Sequence, residues 1–160
     1  MSDGLGINEL RVILKESKTI AVVGLSANWY RPSYFAAKYM QEHGYKIIPV
    51  NPAYVGQEVL GGRCYSSLED IPESVDLVDC FRKSEDIEPI ASQAVTIGAK
   101  IIWLQLGVKN ESASEIASAA GLTYVENRCV KIEHGRLFGG LNWVGVNTKV
   151  ISAKRPKWLP

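Results

Sequence analysis

The sequence predicts an α/β protein, a single domain built on a doubly wound parallel sheet of about five strands. Three observations carry that expectation. Thr19 to Val23, Lys46 to Val50, Val75 to Phe81, Lys100 to Leu104 and Leu122 to Val125 read as short strands, and Lys100 to Leu104 is almost wholly apolar, as a parallel strand covered on both faces is. Segments with apolar residues at helical spacing stand between them. The first strand, the helix after it and the second strand fit into roughly 30 residues, the span of a βαβ unit.

Each element has a local reason. Ile7, Leu10, Ile13 and Leu14 recur at helical spacing, so Ile7 to Glu16 form an amphipathic helix that packs on the sheet. After the first strand a helix opens at Pro32, a good first helical residue, and runs to His43, with Gly44 as its stop. Asn51 to Ser67 contain Pro52, Gly56, Gly61 and Gly62 and read as an irregular connection with a small turn or strand. Ser66, Ser67, Leu68 and Glu69 have the form of a capping box that starts one helical turn, ended by Pro72. Ser84 is expected to cap the next helix, whose first turn holds Glu85 and Asp86 and whose Ile87, Ile90, Ala91, Ala94 and Val95 face the sheet up to Gly98. Asn110 and Glu111 begin another helix that ends at Gly121, and Arg128 to His134 read as one more helical turn. The expected strand order is 3-2-1-4-5, with the ligand crevice outside the carboxyl ends of the first and fourth strands. Residues 1–140 form the domain and 141–160 a C-terminal tail, whose basic stretch Lys154-Arg155-Pro156-Lys157 is expected to be solvated.

Composition narrows the class of partner. At 160 residues the chain can bury one sizeable core. Its 18 Lys and Arg against 17 Asp and Glu leave a net charge of +1, which gives no field for nucleic acid or an acidic membrane surface. Cys64, Cys80 and Cys129 are odd in number and form no C-x-x-C pair, which fits a reducing compartment. No apolar stretch reaches about 18 residues, and Met1 to Gly6 have neither a basic nor an apolar run. A cytoplasmic protein without a membrane or nucleic-acid partner is the expectation.

A doubly wound sheet gathers its ligand groups at the turns that follow its strands. After the first strand these are Gly24, Leu25, Ser26 and Ala27, leading to Arg31, Pro32 and Ser33 at the helix start. After the second they are Asn51 and Pro52, after the third Phe81, Arg82 and Lys83, and after the fourth Gln105 and Gly107. A glycine turn that opens a helix aims free N–H groups and the positive dipole end at one spot, which suits a phosphate. Arg31, Arg82 and Lys83 supply cations for a ligand with more than one phosphate. Nicotinamide dinucleotide sites usually end the second strand in Asp or Glu to hold a ribose hydroxyl, and the neutral Asn51-Pro52 corner argues against NAD.

No catalytic or metal set accompanies these turns. Gly24-Leu25-Ser26-Ala27-Asn28 approaches the G-x-S-x-G nucleophile elbow, but the fifth residue differs and too few strands precede it. His43 and His134 have no ligand spacing with the cysteines. Asp76 and Asp79, three apart in a strand, face opposite sides and make no carboxylate pair.

Gly24-Leu25-Ser26 followed by Arg31-Pro32-Ser33-Tyr34, then Pro49-Val50-Asn51-Pro52, Val75-Asp76 to Phe81-Arg82, Trp103-Leu104-Gln105-Leu106-Gly107-Val108, and Arg128-Cys129 together resemble the small CoA-binding proteins. These are stand-alone relatives of the CoA-binding domain of the succinyl-CoA synthetase alpha subunit. The resemblance covers about residues 18 to 135. It implies a Rossmann-like fold that binds coenzyme A or an acyl-CoA without catalysis of its own. By it, Gly24 to Ser33 would hold the pyrophosphate, Asn51 and Pro52 would border the adenosine end, and Phe81, Arg82, Lys83, Gln105, Leu106 and Gly107 would line the rest of the cleft. Nothing matches the synthetase's phosphorylated histidine or second subunit, so a ligase activity is not implied. The alternative is an NAD(P)-binding or acyl-CoA-dependent enzyme component completed by a partner chain. Cys129 reads as a small buried apolar residue, with a mixed disulfide to a CoA thiol as the second reading.

Overall fold

Successive residues of a strand point to opposite faces, and the strand Thr19–Val23 (β1) shows what that produces here: Ile20 and Val22 enter one apolar core while Ala21 and Val23 enter another. The computed structural model describes residues 6–138. The N-terminal run before Gly6, the boundary at residue 140 and the basic stretch Lys154 to Lys157 lie outside the described residues. The helices are α1 (Ile7–Glu16), α2 (Pro32–Glu42), α3 (Ile87–Thr96), α4 (Glu111–Ala120) and α5 (Val130–Phe138). The main sheet holds β1, β2 (Lys46–Val50), β5 (Leu77–Cys80), β6 (Ile101–Leu104) and β7 (Thr123–Val125), all parallel, and β3 (Glu58–Val59) with β4 (Gly62–Arg63) make a small antiparallel hairpin.

One face of the sheet buries Leu10 and Leu14 of α1, Ala36, Ala37 and Met40 of α2, and Val130 and Leu137 of α5. The other buries Ile87, Ile90, Ala91 and Ala94 of α3 with Ala113 and Ala117 of α4. The doubly wound, Rossmann-like architecture is therefore as the sequence predicts, in one domain. α2 begins at Pro32 and gives way to His43 and a left-handed Gly44 (φ +96°), also as predicted. The last helix is longer than the expected single turn.

The strand order differs from the expected one. It is β2-β1-β5-β6-β7, which in terms of the five long strands is 2-1-3-4-5. The physical reason lies in Pro49. The Lys46 N–H bonds to Lys18 beside β1, so Pro49, three residues on, turns its nitrogen to the outer side of β2, where no ladder bond can form. Proline there marks an edge strand, and an interior second strand is ruled out. That edge is occupied instead by Tyr65, whose N–H bonds to the Pro49 carbonyl at 3.0 Å and whose carbonyl accepts from the Asn51 N–H at 2.8 Å. The order consequently reverses between β1 and β5, and the crevice lies outside their carboxyl ends rather than those of the first and fourth strands.

Two caps also differ from expectation. Ser67 makes no capping bond to the 3₁₀ turn Leu68–Asp70; its hydroxyl reaches the Asp70 carboxylate at 3.3 Å. Ser84 opens the 3₁₀ turn Ser84–Asp86, but its hydroxyl accepts from the Lys109 N–H at 3.1 Å, so it ties two loops together and caps neither. Asn110 does cap α4, accepting from the Ala113 N–H at 2.8 Å.

Asp76 sets the start of β1. Its Oδ2 accepts from the N–H groups of Lys18 at 2.9 Å and Thr19 at 3.0 Å, and the Lys100 ammonium stands 3.7 Å from Oδ1. Burial opposes ionisation, but these donors outweigh it and hold the carboxyl below its ordinary value. Asp76→Ala is expected to lower unfolding stability by about 1–3 kcal/mol at neutral pH. Because the folded-state value is depressed, the contribution is present above the unfolded value of about 3.9 and vanishes as pH falls below it. Urea midpoints of the two proteins should converge on acidification; a gap independent of pH would assign the loss to packing.

Candidate functional site

Gly24 ends β1 with φ +87°, and a Cβ built on it would stand 2.3 Å from the Phe81 carbonyl oxygen and 3.4 Å from the Arg82 Nε. Only glycine meets both demands. The Gly24 N–H donates to Val50 at 2.8 Å and the Phe81 N–H to Val23 at 2.8 Å, so the ends of β2, β1 and β5 are fastened at one point.

The loop from Leu25 to Arg31 is held by its own polar groups. The Ser33 hydroxyl, buried in the first turn of α2, accepts from the Ser26 N–H at 3.0 Å, and the Ser26 hydroxyl accepts from the Asn28 N–H at 3.0 Å. Asn51 bridges to the same loop. Its amide donates to the Leu25 carbonyl at 3.1 Å while its Oδ1 accepts from the Ala53 N–H at 3.0 Å, starting the 3₁₀ turn Pro52–Tyr54. Among the described residues no hydrogen bond reaches the N–H groups of Ala27, in the loop, and Ser33, in the first turn of α2. Unpaired amides ahead of a helix are the kind of donor an anion uses.

Beside this turn is a cleft of ≈ 230 Å³ whose lining includes Val23, Val50, Pro52, Ser66, Arg82 and Asp86. Of the residues predicted for the site, Gly24, Phe81, Arg82 and Pro52 are thus brought together, with Ser26, Ala27, Ser33 and Asn51 in the loop that adjoins them. The Leu25 side chain is fully buried, so only its backbone belongs to the crevice. Arg31, whose guanidinium lies 5.8 Å over the Tyr30 ring, and Lys83 are exposed, and among the described residues no hydrogen bond or ion pair joins their side chains to the others. Ser66 and Asp86 were missed as site residues, because their sequence context already gave them capping and dipole roles.

Gln105 and Gly107 follow β6. The Gly107 N–H donates to the Asn127 Oδ1 at 2.7 Å, and the Gln105 amide donates to the carboxylate of Asp79, buried in β5. Burial pushes the Asp79 carboxyl up to about 7, against the pull of the Gln105 hydrogen bond. Cys129 lies between β7 and α5, beyond the last strand, and is half-buried; burial raises its thiol above the ordinary value and keeps it protonated at neutral pH. A larger hollow of ≈ 340 Å³ lies at the opposite end of the sheet, lined by Lys18, His43, Gly44, Tyr45 and His134, where burial and then His43 lower His134 to about 4. Among the described residues no helix is long and apolar enough to cross a membrane.

Comparisons with known proteins show what the chain is similar to. A family model described as a CoA binding domain matches residues 18–135. The protein YneT of Bacillus subtilis (strain 168) is 40% identical over 126 residues, which cover 79% of this chain and 92% of that protein. An ADP-forming acetate–CoA ligase II of Archaeoglobus fulgidus is 28% identical over 134 residues, covering 81% of this chain but only 19% of the ligase. Among solved structures, a hypothetical protein from Pyrococcus horikoshii OT3 superposes with a TM-score of 0.82 at 44% identity, covering 86% of this chain and 95% of the other. A Thermus thermophilus protein gives 0.81 at 34% identity, covering 84% of this chain and 100% of the other.

The close approach at Gly24 has a measurable consequence. Gly44 also has positive φ, but a Cβ there meets nothing within 4 Å. Gly44→Ala should cost about 1 kcal/mol, from conformation alone. Gly24→Ala should cost about 1–3 kcal/mol more, from the overlap with the Phe81 carbonyl. Chemical denaturation of both variants measures the difference; equal losses would mean that the end of β5 yields freely.

Proposed function

The chain belongs to the CoA-binding domain family, and on that premise we propose that it binds coenzyme A, free or acylated, in the crevice outside β1 and β5, without catalysis of its own. The observation that supports this reading is the Gly24 turn against Phe81 and Arg82, followed by a loop and first turn of α2 in which the N–H groups of Ala27 and Ser33 are unbonded. Unpaired donors at a helix N-terminus with a guanidinium nearby suit the pyrophosphate of the coenzyme. The residues present fit the rest of that molecule too. The cleft of Val50, Pro52, Ser66, Arg82 and Asp86 offers apolar and polar walls to an adenosine. This reading assigns Gln105 and Gly107, which follow β6, to the pantetheine end of the ligand.

The same geometry supports binding over turnover. The Ser26 and Ser33 hydroxyls are engaged with backbone N–H groups rather than a base, and the Cys129 thiol is held protonated. Asn51 spends its side chain on Leu25 and Ala53, so the second strand ends without the carboxylate a nicotinamide dinucleotide asks for. Members of the acetate–CoA ligases, of which this chain spans 19% in one case, place such a domain within a much longer protein.

Calorimetric titration with coenzyme A, dephospho-CoA and NAD tests the reading. Heat with coenzyme A and none with NAD is expected; tight NAD binding with a silent coenzyme A titration would sink it. Arg82→Ala should weaken coenzyme A binding by about 1.5–3 kcal/mol, the value of a charged hydrogen bond. Arg31→Ala, at an exposed position, should cost less.

A further inference from the structure

Two opposite charges line the cleft beside the Gly24 turn, and they do not neutralise each other. Arg82 follows β5, and Asp86 ends the 3₁₀ turn just before α3. Among the described residues no ion pair joins the two, and neither side chain makes a hydrogen bond. Val23, Val50, Pro52 and Ile90 supply the apolar part of the same lining. An acid at the opening of α3 also suits the positive end of that helix, but Glu85 and Glu88 stand in the same turns. The helix does not require a carboxylate in the cleft.

We propose that Asp86 is a specificity-determining residue: it keeps the ribose 3′-phosphate of coenzyme A out of the cleft, so that the site takes dephospho-CoA, whose 3′-hydroxyl is bare, at least as readily as coenzyme A. The inference rests on the reading of this crevice as a coenzyme A site and names the part of the ligand that the site does not recognise. A carboxylate only accepts hydrogen bonds, so Asp86 suits the hydroxyl and amino donors of a nucleoside. A phosphate set against it brings two anions together. Arg82 is the one cation of the lining among the described residues, and the diphosphate of the ligand takes it.

The corner at the end of β2 offers no second cation. The Asn51 amide donates to Leu25 and its Oδ1 accepts from Ala53, Pro52 has no N–H, and Ala53 has no polar side chain. Arg31 and Lys83 are exposed and lie outside the lining. Arg63 is outside it too, with its guanidinium 5.9 Å over the Tyr65 ring. A coenzyme A molecule in this cleft therefore finds its diphosphate matched and its third phosphate opposed.

Calorimetric titration of the full chain with coenzyme A and with dephospho-CoA gives the ratio of the two dissociation constants. Low ionic strength is used, because Asp86 is itself exposed and salt would screen it. Wild type should bind dephospho-CoA as tightly as coenzyme A to within about threefold, or more tightly. A preference for coenzyme A above about threefold would overturn the proposal. Asp86→Lys sets a cation at the same place and should move the ratio toward coenzyme A by about tenfold or more; a ratio unchanged from wild type would equally overturn it. Asp86→Asn, which removes the charge and keeps the shape, should move it the same way by a smaller step and stands in if the lysine variant does not fold. Wild-type protein silent toward both ligands would instead remove the coenzyme A reading itself, and this inference with it.

Discussion

The Phe81 carbonyl occupies the space that a side chain on residue 24 would need, and the rest of the crevice follows from that contact. Where the strand order reverses between β1 and β5, α2 and α3 leave toward opposite faces, and a gap opens between their beginnings. At that gap the chain leaving β1 passes directly against the backbone that ends β5. Gly24 permits this, and the bonds to Val50 and from Phe81 to Val23 then hold three strand ends in fixed relation. The loop beyond uses Ser26, Ser33 and Asn51 to satisfy itself, so the amides left for a ligand are already positioned and binding need not pay to order them.

Buried polar groups extend the same economy. Asp76 and Asp79 are three residues apart, yet one fixes where β1 begins and the other reaches Gln105 at the far end of the sheet. Both meet backbone or amide donors; half-buried Asp76 has the Lys100 ammonium besides, whereas among the described residues Asp79 has no ion-pair partner. The three cysteines are all pushed toward the protonated form by burial, so sulfur chemistry plays no part in holding the domain together.

How much of this could be read beforehand depended on the range of the interaction. The strands and helices were legible because parallel strands carry continuous apolar runs, and because Pro32, Gly44, Asn110 and Gly121 act through their own neighbours. Strand pairing is not local, and the single residue that reported it, Pro49, speaks through the absence of one N–H. Ser84 was misread for a similar reason: its hydroxyl bonds to Lys109, 25 residues away. At the site, Gly24, Pro52 and Arg82 were legible as strand-end residues. Ser66 and Asp86 were not, since each has a sufficient local explanation, and Asp79 gave only its spacing from Asp76 and no sign of Gln105.

The outer rim of β2 carries a further consequence. A sheet with a bare margin can be lengthened by a strand from another molecule, and the growth need not stop at two. Here Pro49 removes one donor from that margin, and Tyr65 takes up the carbonyl beside it. At the opposite margin β7 runs for only three residues. Strand-by-strand growth through these two margins is therefore discouraged from both sides.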